Sequence, residues 1–124
     1  MAEGWSRALK GGILEAFSAG VAPQSIDGRA IKVMAEAGVD ISAQQSKSID
    51  ELDRTDFDYV ITLCDAARES CPYFPGPAKV IHRGFDDPPF LAASAADEAT
   101  ALAPYHRVRD EIKAFIEGLP ANLD

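Results

Sequence analysis

Residues 59–64 read YVITLC, a run of aromatic, β-branched and aliphatic residues without a charge. A short continuous apolar run is typical of a strand buried on both faces of a parallel sheet. We therefore predict a strand over Tyr59–Leu63, with Cys64 at its carboxyl end. Ligands of parallel sheets bind beyond the carboxyl ends of the strands, so Cys64 lies where a functional residue is expected.

Two further segments favour short strands. Ile13–Phe17 reads ILEAF and is followed by small residues typical of a turn, and Lys79–His82 reads KVIH. Helical patterns separate the strands. Met1–Leu9 holds good helix formers, and Asp27 can cap a second helix in which Ala30, Val33, Met34 and Ala37 form one apolar stripe before Gly38.

The last helix has the clearest pattern. Its apolar stripe consists of Tyr105, Val108, Ile112, Phe115, Ile116 and Leu119, with Arg107, Arg109, Asp110 and Glu117 predicted to face water. Helices that alternate with short strands indicate an α/β fold of three layers, with a parallel sheet between two layers of helices.

Size and charge limit the possible functions. The 124 residues, 47% of them hydrophobic, are enough for a single domain over residues 1–124. The net charge of -8 opposes nucleic-acid binding. The sequence has no apolar run near the roughly 20 residues that cross a bilayer, so we expect a cytoplasmic protein.

Cys64 and Cys71 are the two cysteines of the chain. They fit either a redox pair that exchanges a disulfide or two buried thiols that pack as small hydrophobic groups. If the segment between them were helical, its ends would lie roughly 10 Å apart, beyond the ~7 Å at which two cysteines can be bridged. A disulfide therefore requires the intervening segment to refold.

The run Asp86–Pro89, which reads DDPP, suits two interpretations. It is either a loop that presents a carboxyl as a general acid, or an Asp-Pro turn without chemical function. The two histidines, His82 and His106, do not have the spacing of metal ligands. We therefore expect neither a metal site nor a bound cofactor.

Several motifs together resemble one family. They are Met1–Trp5 (MAEGW), Ser18–Val21 (SAGV), Val60–Cys64 (VITLC), Cys71-Pro72, Gly84–Pro88 (GFDDP) and Arg107–Ile112 (RVRDEI). In order and spacing they resemble the thioredoxin-coupled arsenate reductases built on the low-molecular-weight tyrosine phosphatase fold. The resemblance spans nearly the whole chain and favours the redox pair over two buried thiols.

The resemblance implies a mechanism and a set of partners. In the family, one cysteine attacks arsenate, a second displaces arsenite and a third takes over the disulfide, which thioredoxin reduces. Cys64 and Cys71 match the second and third. Asp87 matches the acid that protonates the leaving oxygen, and Asp86 is its neighbour. The implied partners are thioredoxin and an arsenate or phosphate oxyanion, bound by a monomer.

The attacking cysteine of the family has no counterpart in this sequence. In relatives it lies upstream of the position of Met1, in a loop that follows the first strand of a sheet of order 2-1-3-4. The resemblance therefore implies that this chain lacks its N-terminal strand and phosphate-binding loop, that Met1 is an internal methionine, and that the chain as given is inactive.

One departure concerns a potassium site that some relatives have beside the loop. Glu3 and Ser18 resemble two of its ligands, but Lys47 stands where relatives have an acidic residue. We expect the ammonium group of Lys47 to replace the ion, so that potassium is not needed.

Three functions remain open at this point. The first is arsenate reduction, which the cysteine pair favours. The second is a tyrosine phosphatase of the same fold, which shares the acid at Asp87 but needs no resolving cysteines. The third is a non-catalytic truncated remnant.

Overall fold

The computed structural model describes residues 1–18, 27–44, 57–63, 78–119 and 121. They form four helices and two strands, in the order α1 (Ala2–Lys10), α2 (Gly28–Glu36), β1 (Tyr59–Thr62), β2 (Lys79–His82), α3 (Pro88–Ala92) and α4 (Glu98–Glu117). None of the helices in these ranges is long and apolar enough to cross a membrane.

The two strands pair in parallel, with Tyr59 opposite Lys79 and Thr62 opposite His82. This confirms both predicted strands, although β1 ends one residue earlier than expected. Full burial of β1 was wrong, because Tyr59 is 37% exposed and the other residues of the strand are half-buried.

The strand predicted over Ile13–Phe17 was also wrong. After α1 the chain turns, since the amides of Ile13 and Leu14 both donate to the Lys10 carbonyl at 2.9 and 2.8 Å. Ile13 is 66% exposed. A strand is stabilised by a ladder partner, and within the described ranges no strand pairs with this segment.

Helix α4 is the centre of the packing, and α1, α2 and α3 all contact it. The predicted stripe is confirmed: Tyr105, Val108, Ile112, Ile116 and Leu119 are buried, and Phe115 packs partly buried against them. The helix begins at Glu98, well before the stripe, and continues through Pro104. From α1, Trp5 is buried in the same core and its indole N–H donates to the Arg109 carbonyl at 3.1 Å.

Arg109 differs from the prediction that it faces water. Its side chain is only 16% exposed, and its Nη1 donates to the Val33 carbonyl of α2 at 2.9 Å. The cap of α2 is confirmed, because Asp27 Oδ1 accepts from the Arg29 amide at 2.9 Å. The described residues therefore form helices around a small parallel sheet, while the order 2-1-3-4 and the single domain over residues 1–124 stay predictions.

Candidate active site

The carboxyl ends of β1 and β2 define the candidate site. Beyond β1 the chain leads through Leu63 to Cys64, and beyond β2 it leads through residues 83–87 to α3. Cys64, Cys71 and Lys47 lie outside the described residues, so their positions stay predictions. The strand ends themselves are joined, since Thr62 Oγ1 and His82 Nδ1 lie 2.7 Å apart.

Phe85 anchors the segment that leaves β2. Its ring is buried, and it lies edge-on to the Phe115 ring with the centroids 6.1 Å apart. The guanidinium of Arg83 lies over the same ring at 5.1 Å from its centroid. The Phe85 amide also donates to the Leu63 carbonyl at 3.4 Å, so this loop is fastened to the end of β1.

Asp87, the predicted acid, lies at the start of α3. Its backbone is extended, and its carbonyl accepts from the Leu91 amide at 3.1 Å. Its side chain is half-buried and makes no capping bond to its own helix. The two prolines that follow occupy the first turn of α3, where a missing amide hydrogen does no harm. The prediction of a simple turn over this segment was therefore incomplete, because the prolines begin a helix.

Asp86 has different surroundings from Asp87. Its Oδ2 accepts from Arg107 Nη2 of α4 at 2.8 Å, and the pair is partly exposed. The hydrogen bonds from Arg107 to Asp86 and to Glu111 raise the pKa of the arginine. This contact differs from the expectation that Arg107 faces water. The two residues are 21 positions apart, and no spacing rule joins them.

A model of the low molecular weight phosphotyrosine protein phosphatase family matches residues 1–124. The chain belongs to this family. The relatives it is similar to include an arsenate reductase of Halalkalibacterium halodurans, 40% identical over 94% of this chain and 85% of the relative. Another is an arsenate reductase of Bacillus subtilis, 41% identical over 90% of this chain and 78% of the relative.

Solved structures agree with this membership. An arsenate reductase in the oxidised state has a TM-score of 0.76 and 28% identity, and covers 99% of this chain and 87% of the other. An arsenate reductase in a phosphate-binding state has a TM-score of 0.77 and 27% identity at the same coverage. The fold predicted from the resemblance, a low-molecular-weight phosphatase type, is thereby confirmed.

In this phosphatase-family chain the structure joins two residues of the predicted ion site. Ser18 Oγ donates to Glu3 Oε1 at 2.7 Å, and Arg7 Nε lies 3.4 Å from Glu3 Oε2. Glu3 is 8% exposed, so this carboxylate is buried with a hydroxyl and a guanidinium as partners. Lys47 lies outside the described residues, so its place beside Glu3 and Ser18 stays a prediction.

The histidines of the chain pair with other groups. His82 contacts Thr62, and His106 Nε2 lies 2.7 Å from Glu36 Oε2, which lowers the pKa of Glu36. In the described ranges no group of three or more histidine, cysteine, aspartate or glutamate side chains is arranged to hold a metal ion.

Proposed function

We propose that this protein is an arsenate reductase, which reduces arsenate to arsenite through a cysteine disulfide cascade regenerated by thioredoxin. The observation that carries the proposal is the 40–41% identity to proteins named arsenate reductase over 90–94% of the chain. Two cysteines seven positions apart supply the resolving pair that a plain phosphatase does not need.

Reduction of arsenate takes two electrons, which two thiols supply. An attacking thiolate first forms a sulfur–arsenic bond and displaces an oxygen of arsenate. The thiolate of Cys64 then attacks that sulfur, a disulfide forms, and the bonding electron pair leaves with arsenic as arsenite. Cys71 attacks Cys64 in turn and restores the first thiolate, leaving a Cys64–Cys71 disulfide. Thioredoxin supplies the two electrons that reduce it.

Asp87 supplies the proton for the oxygen that leaves arsenate. A general acid must come within hydrogen-bond reach of the group that it protonates. Its place at the carboxyl edge of the sheet, directly before α3, supports this role. The phosphate-binding state of a related structure supports an oxyanion as substrate. We expect no bound cofactor, a monomer and a cytoplasmic location.

The redox pair can be tested in the 124-residue chain itself. The chain is oxidised with diamide, and the Cys64–Cys71 disulfide is identified by peptide mapping. Thioredoxin, its reductase and NADPH are then added. We expect one NADPH to be consumed per intramolecular disulfide, and none with Cys64→Ser or Cys71→Ser once intermolecular disulfides have been removed. A disulfide that forms but resists thioredoxin would overturn the proposed reductant, and failure to form the disulfide would overturn the redox pair.

A phosphatase is the second candidate, because the matching family is described as a phosphotyrosine protein phosphatase. Such an enzyme does not need Cys64 or Cys71 for turnover. Hydrolysis of p-nitrophenyl phosphate that survives the double serine variant, without any arsenate-dependent NADPH oxidation, would favour this function. A protein that shows neither arsenate reduction nor phosphate ester hydrolysis would favour a non-catalytic remnant.

The ion site gives a separate proposal, in which the Lys47 ammonium takes the place of potassium beside Glu3 and Ser18. The contact of Ser18 with the buried carboxylate of Glu3 supports it. We expect equal melting temperatures in sodium and potassium chloride at matched ionic strength. A melting temperature that rises specifically with potassium would contradict the proposal.

A further inference from the structure

Arg107 connects the loop before α3 to the centre of the fold. Its Nη2 donates to Asp86 Oδ2 at 2.8 Å, and Nη1 donates to Glu111 Oε2 at 3.1 Å, one helical turn further along α4. Charge-assisted hydrogen bonds to two carboxylates favour one orientation of the guanidinium. The loop is therefore attached to α4 at Asp86.

Asp86 and Asp87 lie between two fixed points. On one side the Phe85 ring is buried against Phe115. On the other side Pro88 is buried and begins α3, and a proline restricts the backbone of the residue before it. Between these points only the orientations of Asp86 and Asp87 can still vary. The ion pair with Arg107 restrains that of Asp86.

We propose that Arg107 is a positioning residue for Asp87. Neighbouring side chains of extended backbone point to opposite sides, and Asp87 has φ -89° and ψ 106°. When Arg107 holds Asp86 against α4, the carboxyl of Asp87 leaves the loop in one direction, away from the guanidinium. This proposal rests on the proposed function, in which Asp87 is the acid.

The exposure of the pair makes the proposal testable. The side chains of Arg107 and Asp86 are 46% and 54% exposed. Exposed ion pairs contribute little to global stability, so substitutions there should leave the protein folded. The ion pair of Arg29 with Glu98 is a matched control, because its atoms are 3.1 Å apart, its side chains are 42% and 57% exposed, and it also joins a second element to α4.

The catalytic test measures arsenate reduction by the wild type and by four variants, which are Arg107→Ala, Asp86→Asn, their double variant and Arg29→Ala. We expect Arg107→Ala and Asp86→Asn each to lower kcat about three- to tenfold, with the KM for arsenate within about twofold. The kcat of the double variant should be no lower than that of the less active single variant, since the two single variants remove the same interaction. Arg107→Lys should recover part of kcat, and Arg29→Ala should match the wild type. An unchanged kcat in Arg107→Ala, or additive losses in the double variant, would overturn the proposal.

Hydrogen exchange gives a second readout that does not require turnover. The Leu91 amide is bonded to the Asp87 carbonyl, so its exchange reports opening of this loop at the start of α3. We expect about threefold faster exchange in Arg107→Ala and no change in Arg29→Ala. If neither the wild type nor any variant reduces arsenate, the proposed function alone is overturned. Equal exchange of the Leu91 amide in Arg107→Ala and wild type would overturn the positioning by Arg107.

Discussion

The adjacent carboxyls of Asp86 and Asp87 have different surroundings in the structure. Asp86 is bound by Arg107 of α4, while Asp87 is half-buried at the start of α3 with an extended backbone. The proposed acid is Asp87, while Asp86 is bound to α4 through Arg107.

At this residue the first prediction concerns Asp87→Asn. The amide has nearly the shape of the carboxyl but cannot donate an acidic proton, so kcat for arsenate reduction should fall about a hundredfold or more. The KM for arsenate should change little. Steady-state NADPH oxidation coupled through thioredoxin measures both. Asp86→Asn is the control, with a smaller loss, and an Asp87→Asn variant that keeps more than a third of wild-type kcat would contradict the assignment.

Among the elements, α1 approaches the rest of the core closely at Gly4. A Cβ at this position would lie 2.6 Å from Ile41 Cγ2 and 3.4 Å from Met34 Cε, and both of those side chains are buried. At Gly12, just beyond the helix, a Cβ would meet no atom within 4 Å. The two glycines therefore differ in packing, and neither has a positive φ.

Gly4→Ala should destabilise the protein by about 1–2 kcal/mol, because overpacking costs more than the gain in helix propensity returns. Gly12→Ala is the matched control and should change the free energy of unfolding by less than about 0.5 kcal/mol. Urea denaturation followed by circular dichroism measures both. Equal stability of the two variants would show that α1 does not pack against Ile41 as described.

The start of α4 gives a prediction for pH dependence. Asp97 Oδ1 accepts from the Thr100 amide at 2.7 Å, and the bonds from Thr100 lower the pKa of Asp97. A pKa that is lowered in the folded state stabilises the fold at pH values above the ordinary pKa of about 3.9. This stabilisation is lost as the pH falls through the pKa of the folded state. The melting temperature of Asp97→Ala should therefore lie below that of the wild type at pH 7, with a difference that shrinks below about pH 4.

Asp97→Asn is the control for this pH dependence, because asparagine caps a helix without titrating in this range. Its melting temperature relative to Asp97→Ala should not vary with pH. A wild-type advantage over Asp97→Ala that is unchanged between pH 7 and pH 3 would show that the ionised cap does not contribute.

The sequence predicted those elements whose signal is local. The stripe of α4, the cap at Asp27 and the strand at Lys79–His82 depend on spacing or on one capping side chain, and all were confirmed. The strand predicted over Ile13–Phe17 was wrong, because a strand also depends on a neighbouring strand that its own residues do not specify. The stripe of α4 does not specify where the helix begins, and the Asp97 cap with the buried Ala101 and Leu102 extends the helix back to Glu98, through Pro104.

For the candidate site, the family resemblance grouped Glu3 with Ser18, which the structure joins, and it pointed to Asp87 as the acid, a role that stays a prediction. It did not identify the contact of Arg107 with Asp86, because such a pair depends on how α3 and α4 pack. The roles of Cys64 and Cys71 stay predictions, since both residues lie outside the described part of the chain.

On the scale of the whole molecule, the similarity to arsenate reductases extends over nearly all of the chain, while the chain spans 85% of the Halalkalibacterium halodurans relative. The two cysteines match the later steps of the cascade. The similarity and the cysteine pair together support arsenate reduction as the proposed function.

The most direct measurement is arsenate-dependent NADPH oxidation with thioredoxin and thioredoxin reductase. It is made on the protein expressed from its own gene and on its Cys64→Ser and Cys71→Ser variants. We expect turnover in the unsubstituted protein and its loss in both variants. Turnover that survives either substitution would contradict the cysteine cascade, and an unsubstituted protein that reduces no arsenate would contradict the proposed function itself.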